Sequence, residues 1–240
     1  MQRKAAIYKV RNCRWYTMKI VLRIGGSILG APPSSKIVRE YKRVISTLVS
    51  EGNSVGVVVG GGRSARRYIK SAKSLKLSHS QQDTVAIAVS RLNASIVSMA
   101  FGVGDKVPLS VGEAVAVLSK KKVMVMGGLK PGITTDTVAT LLANRWKADL
   151  FIKGSDQEGI YTSDPRKDKN SVKLDKITYA QLVKIIGTKH TPGIHSIVDP
   201  VAAGMLARSK TKLIVFNGKK PENVTDAVHG RKIGTLVVSR

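Results

Sequence analysis

Three apolar runs of the sequence end in glycines, at residues 24–27 (IGGS), 60–62 (GGG) and 127–128 (GG). Glycine lets backbone N–H groups approach a ligand because no Cβ stands in the way. A helix that follows such a turn adds the positive end of its dipole, and both features favour phosphate oxygens. Three turns of this kind predict a site that binds phosphate groups.

The third glycine turn continues into more polar groups than a turn requires. Residues 126–139 read MGGLKPGITTDTVA, so that a Pro-Gly pair, two threonines and an aspartate precede a helical pattern. An aspartate at the start of a helix often caps it. It can also orient cations beside a phosphoryl group during transfer. The residues alone leave both roles open for Asp136.

Other known site patterns fit poorly. The sequence has no G-x-x-x-x-G-K-[ST] loop and no G-x-S-x-G elbow, and its four histidines lack metal-ligand spacing. Gly60-x-Gly62-x-x-Ala65 matches a loose dinucleotide pattern, but Asp83 begins a helical pattern instead of ending a strand. The single cysteine, Cys13, excludes an internal disulfide framework and a cysteine-rich zinc site, and favours a reducing compartment.

The elements that must position these residues alternate between short apolar strands and helical patterns. Strands are predicted at 18–24, 54–59, up to 126, 148–154, 212–217 and 234–239. Helices are predicted at about 34–51, 63–77, 81–101, 135–147, 178–187 and 199–208, with a short one before residue 120. Continuous apolar strands between helices predict an open, doubly wound α/β domain over residues 18–240, with ligands beyond the carboxyl ends of its strands.

The chain is strongly basic, with 41 Lys and Arg against 15 acidic residues and a net charge of +26. Such a charge favours anionic partners, including nucleic acid. Aromatic residues make up only 5%, and no basic-aromatic platform for stacking bases occurs, so nucleic-acid binding is possible but not favoured. No apolar run approaches the roughly 20 residues of a membrane helix, so no membrane association is expected.

The first 17 residues carry five basic residues and no acidic one. This composition is compatible with a transit peptide, but it lacks the apolar core of a secretory signal. We expect a disordered arm or an upstream start codon.

The order of the motifs resembles that of the amino acid kinase family, and within it the archaeal-type uridylate kinases. The matching fragments, from residue 18 to about 238, are IGGS, GGGRSARRYI, SRLNA, PGITTDTVA, GIYTSDP and a late DP-x-A. The resemblance implies a three-layer αβα sandwich around a mainly parallel open sheet. It also implies transfer of the ATP γ-phosphoryl group to UMP with Mg²⁺, in pyrimidine nucleotide synthesis, by a cytoplasmic homohexamer.

The resemblance also implies site roles, but no protein ligand for a metal. The catalytic residues would be Arg23 and Asp136. The ATP-binding residues would be Gly26, Ser27, Gly62, Arg66, Ser155, Asp156, Tyr161 and Asp164. The UMP-binding residues would be Gly61, Asp83, Leu129, Lys130, Pro131, Gly132, Ile133, Thr134 and Thr135.

Three features depart from the family pattern. Residues 155–159 read SDQEG where the family usually has TNVDG, Ala86 replaces a frequent glycine, and Ile133 replaces a polar residue. Two alternatives stay open. One is a sister kinase acting on acetylglutamate, aspartate or isopentenyl phosphate, although residues 196–200 (SIVDP) match uridylate kinases better. The other is a basic RNA-binding protein that keeps this fold without its chemistry.

Overall fold

The computed structural model describes residues 17–186 and 197–239. The strands are β1 Lys19–Ile24, β2 Ser54–Val59, β3 Val123–Met126, β4 Leu150–Ser155, β5 Ile160–Tyr161, β6 Lys173–Leu174, β7 Lys176–Thr178, β8 Lys212–Asn217 and β9 Thr235–Val238. The helices are α1 Gly26–Leu29, α2 Ser35–Ser50, α3 Gly62–Ser74, α4 His79–Phe101, α5 Val111–Leu118, α6 Thr135–Trp146, α7 Tyr179–Ile186, α8 Pro200–Ser209 and α9 Asn223–Val228. The interpretation of the basic N-terminal segment concerns residues outside the described ones, apart from Thr17.

Seven strands form one sheet in the order β3-β2-β1-β4-β8-β9-β7. All neighbouring strands run parallel except β8 and β9, which are antiparallel. Successive residues of β1 alternate between two apolar layers, with Val21 in one and Ile20 and Leu22 in the other. Helices therefore cover both faces of the sheet, which confirms the predicted αβα sandwich.

Helix α4 corrects one prediction from the sequence. It has 23 residues and a mean hydropathy of 1.5, so by length and composition alone it could cross a membrane. The statement that no segment approaches that length is therefore wrong for α4. In the fold, its residues Ala94 and Val97 lie in an apolar core layer, and a core helix meets the same criterion.

Candidate active site

The first two glycine turns lie in direct contact at the carboxyl ends of β1 and β2. A Cβ on Gly26 would lie 2.2 Å from the backbone N of Gly62. A Cβ on Gly62, whose φ is 63°, would lie 2.3 Å from the carbonyl carbon of Gly26. Any side chain at either position would push the turns apart, so these glycines are required by close packing as well as by access to a ligand.

The third glycine turn is held by α4. A Cβ on Gly127 would lie 2.8 Å from the backbone N of Arg91. The Gly128 N–H donates to Ser90 Oγ at 2.8 Å. The Arg91 guanidinium donates to the carbonyls of Gly128 at 2.9 Å and Leu129 at 2.7 Å. Two α4 side chains thus fix the start of the segment that runs from residue 129 to 135.

The same segment is fixed again at its tip. The Gly132 N–H donates to Asp83 Oδ2 at 2.8 Å, and Gly132 has a φ of 82°. Leu129 and Ile133 pack against the apolar core layer beneath the segment. Ile133, the departure from the family pattern, therefore anchors the segment by packing, which explains an apolar residue there.

Thr134 has a different role from the one expected for its hydroxyl. Its Oγ1 accepts from the N–H groups of Asp136 and Thr137, both at 3.1 Å, so Thr134 caps α6. The same hydroxyl donates to Asp199 Oδ2 at 2.5 Å. A hydroxyl has one donor and two acceptor sites, so this one is fully used and has no capacity left for a phosphate.

Because Thr134 is the cap, Asp136 is not. Asp136 is 6% exposed and lies between two cations. Its Oδ1 lies 2.7 Å from Arg23 Nε, and its Oδ2 accepts from Lys153 Nζ. Arg23 also donates to Thr135 Oγ1 at 3.0 Å. The carboxylate therefore orders two basic side chains at the carboxyl ends of β1 and β4.

Burial and charge act in opposite directions on this cluster. Burial raises the pKa of Asp136, but the charges of Arg23 and Lys153 outweigh it and hold that pKa below its usual value. Burial lowers the pKa of Lys153, and the neighbouring Asp136 carboxylate offsets this only in part. Asp136 is consequently a charged carboxylate at neutral pH.

A cavity of about 240 Å³ opens beside the cluster. It is lined by Arg23, Gly25, Gly26, Ser27, Gly62, Arg66, Asp136, Lys153, Gly154, Ser155, Asp156, Gln157, Arg166 and Ile197. Four of these residues are basic and two are acidic, so the lining carries a net charge of +2. This balance suits a polyphosphate anion.

Most residues predicted for the ATP side line this cavity, namely Gly26, Ser27, Gly62, Arg66, Ser155 and Asp156. Tyr161 in β5 and Asp164 lie outside the lining. The Asp164 carboxylate accepts two hydrogen bonds from Arg166, at 3.0 and 3.1 Å, and Arg166 does line the cavity. Asp164 therefore acts on the cavity through Arg166.

The residues predicted for the UMP side also lie outside the lining. The last of them, Thr135, directly precedes Asp136, which does line the cavity. Asp83 and the segment from Leu129 to Thr135 are brought together by the Asp83–Gly132 hydrogen bond. Lys130, Pro131 and Gly132 are exposed. Gly61 precedes α3, and Asn93 of α4 donates to its carbonyl at 3.4 Å. This side is an open surface that adjoins the cavity at Thr135.

Glu158, in the segment that departs from the family pattern, does not line the cavity. Its Oε1 accepts from Asn217 Nδ2 at 2.8 Å and from Lys220 Nζ at 3.3 Å. These hydrogen bonds, that from Asn217 foremost, lower its pKa. Of the two acidic residues in the segment 155–159, only Asp156 lines the cavity.

The sequence interpretation missed four side chains with clear contacts at the site. They are Arg91, Lys153, Arg166 and Asp199. Lys153 had a usable signal, because a lysine inside the apolar run ADLFIKG must be paired if the strand is buried. Arg91 and Asp199 stand in the matching fragments SRLNA and DP-x-A, although no site role was predicted for them, and Arg166 has no comparable signal.

Comparison with known proteins identifies the family. The family model described as "Amino acid kinase family" matches residues 18–217. A uridylate kinase of Archaeoglobus fulgidus is 41% identical over 222 residues, which are 92% of this chain and 100% of that protein. A uridylate kinase of Methanobrevibacter smithii is 36% identical over 226 residues, with 93% and 100% covered.

The chain belongs to the amino acid kinase family.

Solved structures agree with this membership. The crystal structure of the A. fulgidus uridylate kinase superposes with a TM-score of 0.84 at 41% identity, covering 92% of this chain and 100% of that chain. A UMP kinase from Bacillus anthracis gives a TM-score of 0.76 at 19% identity, covering 92% and 96%. The second likeness concerns the fold alone. The glycine turns and the buried aspartate therefore belong to an amino acid kinase scaffold.

Proposed function

We propose that this protein is a UMP kinase that transfers the γ-phosphoryl group of ATP to UMP, giving UDP and ADP. The observation that carries the proposal is the buried Arg23–Asp136 pair, 2.7 Å apart, on the wall of a basic cavity at the glycine turns. Similarity to uridylate kinases over more than nine-tenths of the chain supports the choice of acceptor.

The cavity binds the triphosphate of ATP. Gly26 and Gly62 expose backbone N–H groups without a side chain in the way, and Arg66 adds a positive charge. Ser155, Asp156 and Arg166 form the outer wall on the nucleoside side. The Asp164 carboxylate holds Arg166 by a two-point contact, so the guanidinium is oriented before ATP arrives.

The acceptor binds on the adjoining surface. Asp83 and the segment 129–135 surround it, and the segment is held in place from three sides, by Asp83, by Arg91 and by the core contacts of Ile133. The Thr135 hydroxyl accepts from Arg23 and keeps its own proton for a UMP phosphate oxygen. Thr134 contributes by capping α6 with its hydroxyl, which is then not free to bind the phosphate.

The reaction requires positioning more than covalent help. The UMP phosphate is a dianion above its pKa of about 6. One of its oxygens forms a bond to the γ-phosphorus. The bond from that phosphorus to the β,γ-bridging oxygen breaks, and ADP leaves with the electron pair. No proton has to be removed from the nucleophile. Arg23 offsets the charge on the transferring oxygens, and Asp136 fixes the position of Arg23.

Mg²⁺ belongs to the substrate in this proposal, carried on the ATP phosphates. No group of three or more His, Cys, Asp or Glu side chains suited to a metal occurs in residues 17–186 and 197–239. Both Asp136 oxygens are engaged by cations. Asp156, exposed on the cavity wall, is the carboxylate we assign to the ATP-bound ion, which would shield phosphate charge.

A panel of acceptors tests the function. Purified protein with ATP and Mg²⁺ is assayed against UMP, CMP, dUMP, acetylglutamate and isopentenyl phosphate. We expect UMP to give the highest kcat/KM. A higher value for acetylglutamate or isopentenyl phosphate would replace the proposal by a sister kinase of the same fold.

The acceptor side gives a further prediction. Asp83→Ala removes the acceptor of the Gly132 N–H and a carboxylate beside the UMP surface, so KM for UMP should rise about tenfold or more. Asp105→Ala, a change in the exposed loop after α4, serves as the control. A selective increase in KM for ATP would mean that the two subsites are reversed.

We also propose a cytoplasmic homohexamer acting in pyrimidine nucleotide synthesis. Helix α4 supports association, because Leu92 and Met99 are 60% and 55% exposed on it, together with Ile96. Apolar residues spaced by four and three positions share one helix face, and a monomer would leave this face in water. Light scattering of the full chain should give six times the mass of 25.8 kDa.

A further inference from the structure

We propose that Lys153 is a further catalytic residue, which donates hydrogen bonds to the oxygens of the γ-phosphoryl group during transfer. The proposal deepens the phosphotransfer function given above and rests on it. Its ammonium group would stand beside Arg23, so that two cations held by one carboxylate face the transferring group.

The sheet places Lys153 for this role. Strands β1 and β4 are parallel neighbours, and Arg23 is directly opposite Lys153 in their register. The two side chains therefore emerge side by side on the same face of the sheet. Both reach Asp136 at the start of α6, and all three residues line the cavity.

The hydrogen bonds of Lys153 leave capacity for a ligand. An ammonium group has three donors. Within residues 17–186 and 197–239, Asp136 Oδ2 is the acceptor that Nζ has. The hydrogen bonds of the Asp199 carboxylate come from two threonine hydroxyls and from the Ala202 N–H. Its effect on Lys153 is therefore that of a nearby charge. Two donors of a side chain only 6% exposed thus remain for an anion in the cavity.

Neutralising Asp136 does not by itself require Lys153. Arg23 already pairs with the carboxylate at 2.7 Å, and burying a second cation carries a desolvation cost. That cost is offset when a phosphate enters beside it. Lys153 transfers no proton in this step; its ammonium group offsets the negative charge on the three peripheral oxygens.

Lys153→Met is the first test, because it keeps the apolar stem and removes the ammonium. With UMP and ATP, kcat should fall by about 10²-fold or more, while KM for UMP should change little. Lys212→Met is the matched control, since Lys212 is an exposed lysine that begins the neighbouring strand β8 beside Leu150. A folded Lys153→Met variant with the kcat of the control would overturn the proposal.

A second comparison separates catalysis from charge neutralisation. If Lys153 only neutralises Asp136, its removal should cost nothing once Asp136→Asn has removed the carboxylate. If it contacts the phosphoryl group, D136N/K153M should have a kcat about tenfold or more below that of D136N. The double variant also removes both charges of the pair, so the test holds even where the single variant does not fold.

A binding measurement distinguishes failure of this proposal from failure of the UMP kinase function. Wild-type turnover of UMP tests the function alone. Calorimetry with Mg²⁺ then gives the ratio of the ADP to the ATP dissociation constant, which reports γ-phosphate contacts without any acceptor. In Lys153→Met that ratio should fall at least about threefold, because ATP loses a γ-phosphate contact that ADP never makes. An unchanged ratio together with an unchanged kcat would assign Lys153 a structural role only.

Discussion

At the scale of single residues, the Asp136 carboxylate is held between Arg23 and Lys153 and away from water. Removing one member of a buried ion pair leaves the others uncompensated. The same change releases the cations from their positions beside the cavity. Substitution of Asp136 therefore acts on stability and on chemistry at once.

We predict that Asp136→Asn lowers kcat by about 10²-fold in the folded enzyme. The unfolding free energy should fall by about 3–5 kcal/mol. Kinetics normalised to the folded fraction, measured by circular dichroism, separate the two effects. Asp226→Asn changes a half-buried aspartate that pairs with the exposed Arg231, far from the site, and serves as the control. A folded D136N protein with normal turnover would contradict the assigned role.

Acid should reveal the same ion pairs. The pKa of Asp136 is held below its ordinary value of 3.8 in the fold, mainly by Arg23 and Lys153 against the effect of burial. The unfolded chain binds the proton more readily, so this group stabilises the fold above pH 3.8 and the contribution is lost as the pH falls towards the lowered pKa. Urea unfolding between pH 6 and 3 should show a steeper loss of stability in the wild type than in D136N. Equal slopes would contradict the lowered pKa.

Some site residues could be predicted from the sequence, and others could not, for physical reasons. Gly26, Gly62 and Asp136 belong to motifs that can be recognised from residue types and spacing in the sequence alone. The occupation of the Thr134 hydroxyl depends on Asp199, which lies 65 positions away in the chain. The role of Ile133 depends on the core layer beneath it. Such contacts exist only after folding.

At the scale of elements, the starts of α6 and α8 are joined by Asp199. Its Oδ1 accepts from the Ala202 N–H at 3.0 Å, which caps α8. Its Oδ2 accepts from Thr137 Oγ1 at 2.8 Å as well as from Thr134. One carboxylate thus fixes α8 against the helix that carries Asp136.

Asp199→Ala should therefore destabilise the protein by about 2–4 kcal/mol, from a lost helix cap and two hydroxyls left without their acceptor. Guanidinium unfolding measures this change. Asp164→Ala, at a solvent-accessible ion pair with Arg166, should have a much smaller effect. A similar small effect for Asp199 would show that the hydrogen bonds do not hold the helices together.

Long elements were predictable and short ones were not. Strands such as β2 and β8 read as continuous apolar runs, and α2 places Val38, Tyr41 and Leu48 on one face. The missed elements, α1, α9 and β5 to β7, have two to six residues each. Patterns that short carry too little periodicity, and their conformation is set by neighbouring segments. The antiparallel direction of β9 likewise depends on tertiary pairing.

At the scale of the whole molecule, the net charge of +26 means that basic side chains far outnumber the acidic partners available within the chain. Helix α3 has five basic residues and no acidic one, and none of the five forms an ion pair within residues 17–186 and 197–239: Arg63, Arg66, Arg67, Lys70 and Lys73. Of these, Arg66 lines the cavity. The others form an exposed basic surface that extends away from it.

This surface should bind polyanions only through counterion release. We predict that retention of single-stranded RNA falls by about 10³-fold or more between 50 and 200 mM salt. Turnover at saturating ATP and UMP should change far less over that range, because the substrates enter a preformed cavity. A filter-binding titration beside the kinase assay measures both. RNA binding that persists at high salt would favour the RNA-binding alternative.

The register between β1 and β4 sets the spacing of two side chains in the active site. Arg23 and Lys153 occupy opposite positions on adjacent strands, so the backbone ladder, instead of loop conformation, fixes the spacing of the two cations. A one-residue slip would send either side chain to the other face. An insertion or deletion within either strand would therefore separate the two cations and abolish the reaction centre.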